Sequence, residues 1–262
     1  MSFPAGARKY SVDDDQLVAW VTNDPMPDAG VAWLSLSAVH VETGLVPVLL
    51  QADQPELREP GEGPFFGFFH RAPVALMDQM PAVDVLAAAW DDKFTLSGSG
   101  DDGARAPYGR RFPGLAPPQN GSMSLDALRQ VVSVLPPAHL GLVPASRPAD
   151  VPATVGWSVF GTDFSGPDPL SLDFYLPGAR SLRIGAVLRS WEERYGARLI
   201  RIGADAILQV LVERPPRTLE SAMALAAEHY AFADEIGGTS AGTIQAIAAR
   251  LIGAAVWTFW WD

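Results

Sequence analysis

A mixed α/β (α+β) fold, with amphipathic helices packed on a mixed sheet, is what this sequence predicts. Three observations carry it. Segments with a helical apolar period are interleaved with short β-branched runs. The runs 198–202 and 207–212 are joined through Gly203-Ala204-Asp205, as in a hairpin. The chain closes on 255–261, an alternating run that sets Trp257, Phe259 and Trp261 on one face.

The elements follow in chain order. A strand is expected over 17–22 and a turn over 23–27. Asp28 suits the N-cap of a helix whose stripe holds Trp33, Leu36 and His40, with Gly44 as its stop. Residues 45–50 read as a buried strand. Pro81 suits the first turn of a helix with Val83, Leu86, Ala87 and Trp90 at i, i+3, i+4 and i+7. Residues 97–122 are dense in Gly and Pro and hold neither period, so they read as a long loop. Ser124 then precedes a helix striped with Leu125, Leu128, Val131, Val132 and Leu135. Gly-Leu-Val-Pro occurs at 44–47 and again at 141–144, and both copies read as short buried strands. A Pro-rich stretch over 136–152 sets a soft boundary between an N-terminal α/β region, 1–135, and a C-terminal domain, 136–262.

The C-terminal part reads as an α-β-β-α-α-β unit. Ser181 is the expected cap of a helix with Ile184, Val187, Leu188, Trp191 and Tyr195 on one face, ended by Gly196. After the hairpin, Thr218 is the cap of a helix with Leu219, Ala222, Met223, Ala226, Ala227 and Tyr230 inward. Ser240 is the expected opening of the last helix, with Ile244, Ile247, Ala248 and Leu251 inward and Gly253 at its end.

Composition narrows the function classes. Of 262 residues, 30 are acidic and 19 basic, a formal charge of −11. Such a surface repels phosphate, so a nucleic-acid partner is not expected. There is no Cys, which removes disulfides, thiolate nucleophiles and thiolate metal ligands. No apolar run reaches the ~18 residues of a membrane span, and the N-terminus lacks an apolar leader, so a cytoplasmic protein without membrane contact is expected.

Few residues form a chemical pattern. Gly98-Ser99-Gly100-Asp101-Asp102-Gly103 has the spacing of a dinucleotide loop, but two aspartates lie where phosphates would sit. Gly238-Thr239-Ser240-Ala241-Gly242 has the spacing of a nucleophile elbow, but a helix end rather than a strand precedes it. His40, His70, His139 and His229 are dispersed, so no metal site or cofactor is expected. Asp13-Asp14-Asp15 and Asp91-Asp92 read as solvated charge, and Phe65-Phe66-Gly67-Phe68-Phe69 as core. Glu228-His229 places a carboxylate beside an imidazole, but helical neighbours diverge by about 100°. With the stripe centred on Tyr230, Glu228 is expected in solvent and His229 at the flank.

The run Ala186-Val187-Leu188-Arg189-Ser190-Trp191-Glu192-Glu193-Arg194-Tyr195-Gly196-Ala197-Arg198-Leu199 resembles a signature of the bacterial family called domain of unknown function 4253. So do Ala226-Ala227-Glu228-His229-Tyr230-Ala231-Phe232 and the closing Phe259-Trp260-Trp261-Asp262. Thr43-Gly44-Leu45-Val46-Pro47, Leu140-Gly141-Leu142-Val143-Pro144-Ala145 and Val155-Gly156-Trp157 are similar to longer members. Where members show a Cys-Pro-Asp-Asn-like stretch after Phe232, this chain has Ala233-Asp234-Glu235-Ile236. The resemblance implies a cytoplasmic bacterial protein and brings no activity, cofactor or catalytic residue.

The reading that results is a non-catalytic protein-binding module, regulatory or immunity-type, whose partner is another protein. Its expected binding residues are Trp157, Trp191, Trp257, Trp260 and Trp261, with Arg189 and Arg194 as polar handles. The alternative is a small-molecule hydrolase using His229 with Glu228, Glu192 or Glu193. The oligomeric state is left open.

Overall fold

The computed structural model describes residues 6–12, 16–51, 72–96, 103–157, 179–203, 206–233, 235–236, 239–240 and 242–261. Their strands are β1 (Ala7–Val12), β2 (Gln16–Thr22), β3 (Leu45–Gln51), β4 (Ala138–Pro144), β5 (Ala197–Ile202), β6 (Ile207–Val212), β7 (Glu235–Ile236), β8 (Thr239–Ser240) and β9 (Val256–Trp260). They form one sheet in the order β1-β2-β4-β3-β5-β6-β9-β7-β8. The two Gly-Leu-Val-Pro copies lie against each other in it: β3 and β4 pair antiparallel, with Leu45 opposite Pro144 and Pro47 opposite Leu142. β4, just beyond the expected boundary at 136, also pairs with β2. β3 joins the C-terminal strands through one parallel pairing, Leu49 with Arg201. The expected hairpin is β5–β6, and β9 pairs antiparallel with β6.

The helices are α1 (Ala29–Ser37), α2 (His40–Thr43), α3 (Ala82–Leu96), α4 (Leu125–Ser133), α5 (Val151–Val155), α6 (Ala179–Tyr195), α7 (Leu219–Phe232) and α8 (Ile244–Leu251). They divide between the sheet's two faces. Side chains of α3, α5, α6, α7 and α8 bury Val46, Val48, Leu50, Leu208, Val210, Trp257 and Phe259 on one face. On the other, α1 and α4 cover Leu49, Ala138, Leu140, Ile200 and Leu211. The fold is thus the mixed α/β arrangement expected, consistent with the C-terminal α-β-β-α-α-β order, to which the two-residue strands β7 and β8 are added between α7 and α8.

Local chemistry accounts for most boundaries. Ser124 caps α4 by accepting the Ala127 N–H at 3.2 Å. Thr218 and Ser221 form a reciprocal capping box at the start of α7. Gly44 and Gly196 take left-handed conformations, φ 68° and 61°, where α2 and α6 stop. Several expectations shift. The helix expected from Asp28 to Gly44 breaks at residues 38–39, and the Asp28 side chain makes no capping bond. Ser181 lies inside α6, fully buried, because the helix already runs from Ala179. Thr243 caps α8 by accepting the Ala246 N–H, and Ser240 lies in β8 instead. In α3 the inward stripe is Ala82, Val85, Leu86, Ala89 and Trp90, which turns Val83 outward. The aspartates 13–15, the aromatic run 65–69, His70 and residues 98–102 lie outside the described residues.

Candidate functional site

α6 and α7 cross the larger face of the sheet and bring their signature residues together below β9. Trp191 and Tyr195 of α6, Glu228 and His229 of α7, and Trp257 and Phe259 of β9 are all buried. Trp191 stacks on Phe259 at 5.2 Å and meets Trp257 and Phe232 edge-on at 5.7 and 4.8 Å. Such aromatic contacts add to what area burial alone gives.

The expected orientation of Glu228 is corrected by its burial: it is 0% exposed, at the floor of this cluster. The last turns of α7 have no solvent side, because α3 and α8 pack on them and the Trp191 and Arg194 side chains of α6 reach across to them. Both carboxylate oxygens are doubly bonded. Oε1 accepts from Arg194 Nη1 at 2.7 Å and from the Ala116 backbone N–H at 2.7 Å. Oε2 accepts from Arg194 Nη2 at 2.6 Å and from Trp191 Nε1 at 2.8 Å. A buried charge is tolerated under these conditions: a bidentate partner, and no lone pair left wanting. Burial opposes the charge on Arg194, but the bonds to Glu228 outweigh it and hold the guanidinium's pKa above its ordinary value. Burial, with the Glu228 charge, pushes the Tyr195 phenol up.

His229 sits differently. It is fully buried, its ring 4.9 Å from Trp191, 4.6 Å from Trp257 and 4.8 Å from Phe259, and neither ring nitrogen has a hydrogen-bond partner. Burial, with the Arg194 charge, lowers its pKa to about 3, so the ring is neutral at pH 7. It does not hydrogen-bond Glu228. A hydrolytic centre needs a substrate atom within reach of its base, and here aromatic rings occupy that space.

The other expected residues separate into three groups. Trp157 and Trp261 are buried and edge-on at 6.1 Å, with indole N–H groups donating to Gly203 O and Phe232 O. With Trp191 and Trp257 they form an interior cluster without a face left for a partner, so the aromatic surface expected there contracts to Trp260. Arg189 donates to Asp150 and Asp78 at 2.7 and 2.8 Å. Glu192 and Glu193 both accept from Arg147, at 3.4 and 3.1 Å. Burial raises the Glu192 carboxyl, against the lowering charges of Arg147 and His40.

Trp260 alone of the expected tryptophans turns to the opposite face. β9 alternates, with Trp257 and Phe259 buried and Val256, Thr258 and Trp260 half-buried. Trp260 lies opposite Ile207, and Thr258 opposite Gln209. Gln209 lies opposite Arg201 on β5. Gln209 Nε2 donates to Thr258 Oγ1 at 3.1 Å, and Arg201 Nη2 to Gln51 Oε1 at 3.1 Å. A polar row thus crosses β3, β5, β6 and β9 beside an indole. Sequence reasoning missed Arg201, Gln209 and Thr258. The signal was present: Gln209 on β6 and Thr258 on β9 each stand between two buried apolar neighbours.

The molecule is therefore a mixed α/β protein with a buried ion-pair centre on one side of the sheet and a half-buried polar row on the other. Residues 178–262 match the family model described as Domain of unknown function (DUF4253). The signatures at 186–199, 226–232 and 259–262 fall within that match, whereas 43–47, 140–145 and 155–157 lie upstream of it. No curated protein and no solved structure matches the chain. Among the described residues, no group of three or more His, Cys, Asp or Glu side chains could hold a metal ion, and no helix is long and apolar enough to cross a membrane.

Proposed function

We propose that this chain is a cytoplasmic, non-catalytic protein-binding module that recognises its partner through the outer face of β9 and β6. The observation that supports it is the placement of Trp260: a half-buried indole on a sheet face, next to the amide of Gln209, the hydroxyl of Thr258 and the aliphatic Ile207. Tryptophan flanked by polar groups is the composition of interface anchors. An acidic surface adds long-range attraction to a basic partner. Residues 1–135 and 136–262 would act together here, since Gln51 and Arg201 of the polar row come from the two sides of residue 136.

The test is affinity capture from the native host's lysate with three baits: the wild type, Trp260→Ala and Trp261→Ala, each checked for a cooperative melt. The reading expects one stoichiometric protein on the wild type and its loss on a folded Trp260→Ala bait. Undiminished capture by folded Trp260→Ala, or no stoichiometric protein on the wild type, overturns it.

A further inference from the structure

Residues 112–124 link α3's neighbourhood to α4 without helix or strand; Phe112 and Met123 at the ends pack half-buried on the two cores, and most of the side chains between them are exposed. Ala116 is buried, 1% exposed. The contacts around it read main chain rather than side chain. Its N–H is accepted by Glu228 and its carbonyl takes a bond from Arg194 Nη1 at 2.8 Å. The Tyr195 hydroxyl donates to Pro117 O at 3.2 Å, and the Gln119 N–H donates to Arg194 O at 3.1 Å. Pro117 and Pro118 carry no N–H, so the segment leaves no donor wanting between the two it uses.

We infer that the notch formed by Arg194, Tyr195 and Glu228 is a peptide-binding site, and that its ligand class is an extended segment of the pattern small residue–Pro–Pro. In this chain, residues 115–119 occupy it in cis. Three features carry the assignment. Most of the receptor's own bonds come from outside the segment: three of the four donors to Glu228 are the two Arg194 Nη groups and the Trp191 indole N–H. Within 115–119 the Ala116 methyl group is buried, Gln119 is half-buried, and Leu115, Pro117 and Pro118 are exposed, as in a docked peptide. Proline fixes an extended backbone in advance, which lowers the entropy lost on docking. A site of this kind needs little intrinsic affinity, because a tethered segment is presented at roughly millimolar effective concentration. A partner bearing the same pattern would have to displace it. The site lies on the opposite side of the sheet from Trp260, so it stands or falls apart from the β9 face.

The probe is a fluorescein-labelled peptide with the sequence of residues 110–122, titrated against full-length protein by anisotropy. Ala116→Glu sets a second carboxylate against Glu228 and should unseat the cis segment. Saturable binding is expected to Ala116→Glu, with wild type weaker by at least about tenfold because its site is filled, and a peptide carrying the same Ala-to-Glu change should not bind. A folded Ala116→Glu protein that takes no peptide, or equal binding to variant and wild type, overturns the assignment. If that variant does not fold, native-state hydrogen exchange on the wild type decides. Ala116 and Gln119 amides that open at lower denaturant than the amides of Leu188 and Ala227 support a separable ligand. Exchange of all four only in global unfolding refutes it.

Discussion

Acidification should act on this protein through His229. The ring is neutral and walled in by Trp191, Trp257 and Phe259, so its protonation in the folded state is resisted by desolvation and then by the Arg194 charge. The unfolded chain binds a proton near pH 6.5 and the folded chain near 3. Between those values the unfolded state holds more protons, so stability falls as pH falls. The contribution is complete above pH 6.5 and declines as pH drops toward about 3, a total on the order of 4–5 kcal/mol. At pH 4.5 the loss should be roughly half of that total. The assay is urea unfolding of wild type and His229→Phe across pH 4–8, comparing the difference between the two so that other titrations cancel. At pH 7.5 the variant should be near neutral in stability or better, because it removes two buried ring nitrogens that have no partner. The gap should then widen in the variant's favour on acidification. Parallel pH profiles would show that His229 is not the titrating group and refute the burial argument.

Three further outcomes are expected. Glu228→Ala strands the Arg194 guanidinium and the Trp191 and Ala116 N–H groups, so urea melts should show a loss of about 3–5 kcal/mol. Trp261→Ala should cost about 3–5 kcal/mol through the cavity it leaves, and Trp260→Ala well under half of that, as read by thermal melts. Gly30→Ala should destabilise by about 1–3 kcal/mol, because a Cβ there meets the Val132 carbonyl of α4; circular dichroism melts would check it.

The sheet was legible in the sequence wherever one period dominated. β9 shows this best: its alternation sets Trp257, Phe259 and Trp261 on one face, and that face is buried, although Trp257 and Trp261 were expected to bind a partner. β3 and β4 were visible as apolar runs, but their mutual pairing was not, since pairing depends on contacts about a hundred residues apart. The orientation of Glu228 failed for a related reason. A helical stripe tells which face is apolar, not whether the opposite face meets water. Glu228 is compensated by Arg194, 34 positions earlier, and by Ala116, 112 positions earlier, and no local pattern announces either. Of the stretch expected as a loop, the described residues 103–122 are irregular as read, while the anchoring of Ala116 was not legible, because backbone hydrogen bonding to a side chain leaves no trace in composition. The polar row on β5, β6 and β9 went unseen because the aromatic residues beside it dominate the pattern.

The signature residues make physical sense as parts of one arrangement. Trp191 and Arg194 are three apart on α6, so they project from neighbouring turns of the same face. Glu228 reaches both from α7, and its adjacent His229 fills the space between Trp191 and β9. A buried ion pair gives little net stability compared with apolar packing, but it tolerates few alternative geometries. Its carboxylate therefore works less as glue than as a gauge of the α6–α7 crossing, since only one crossing satisfies four donors. One of those donors comes from Ala116, outside the region 178–262 that the family model covers. The C-terminal unit of this chain thus closes its central carboxylate with backbone from upstream. The sheet makes a second such link, continuing from β5 into β3 through the pairing of Arg201 with Leu49.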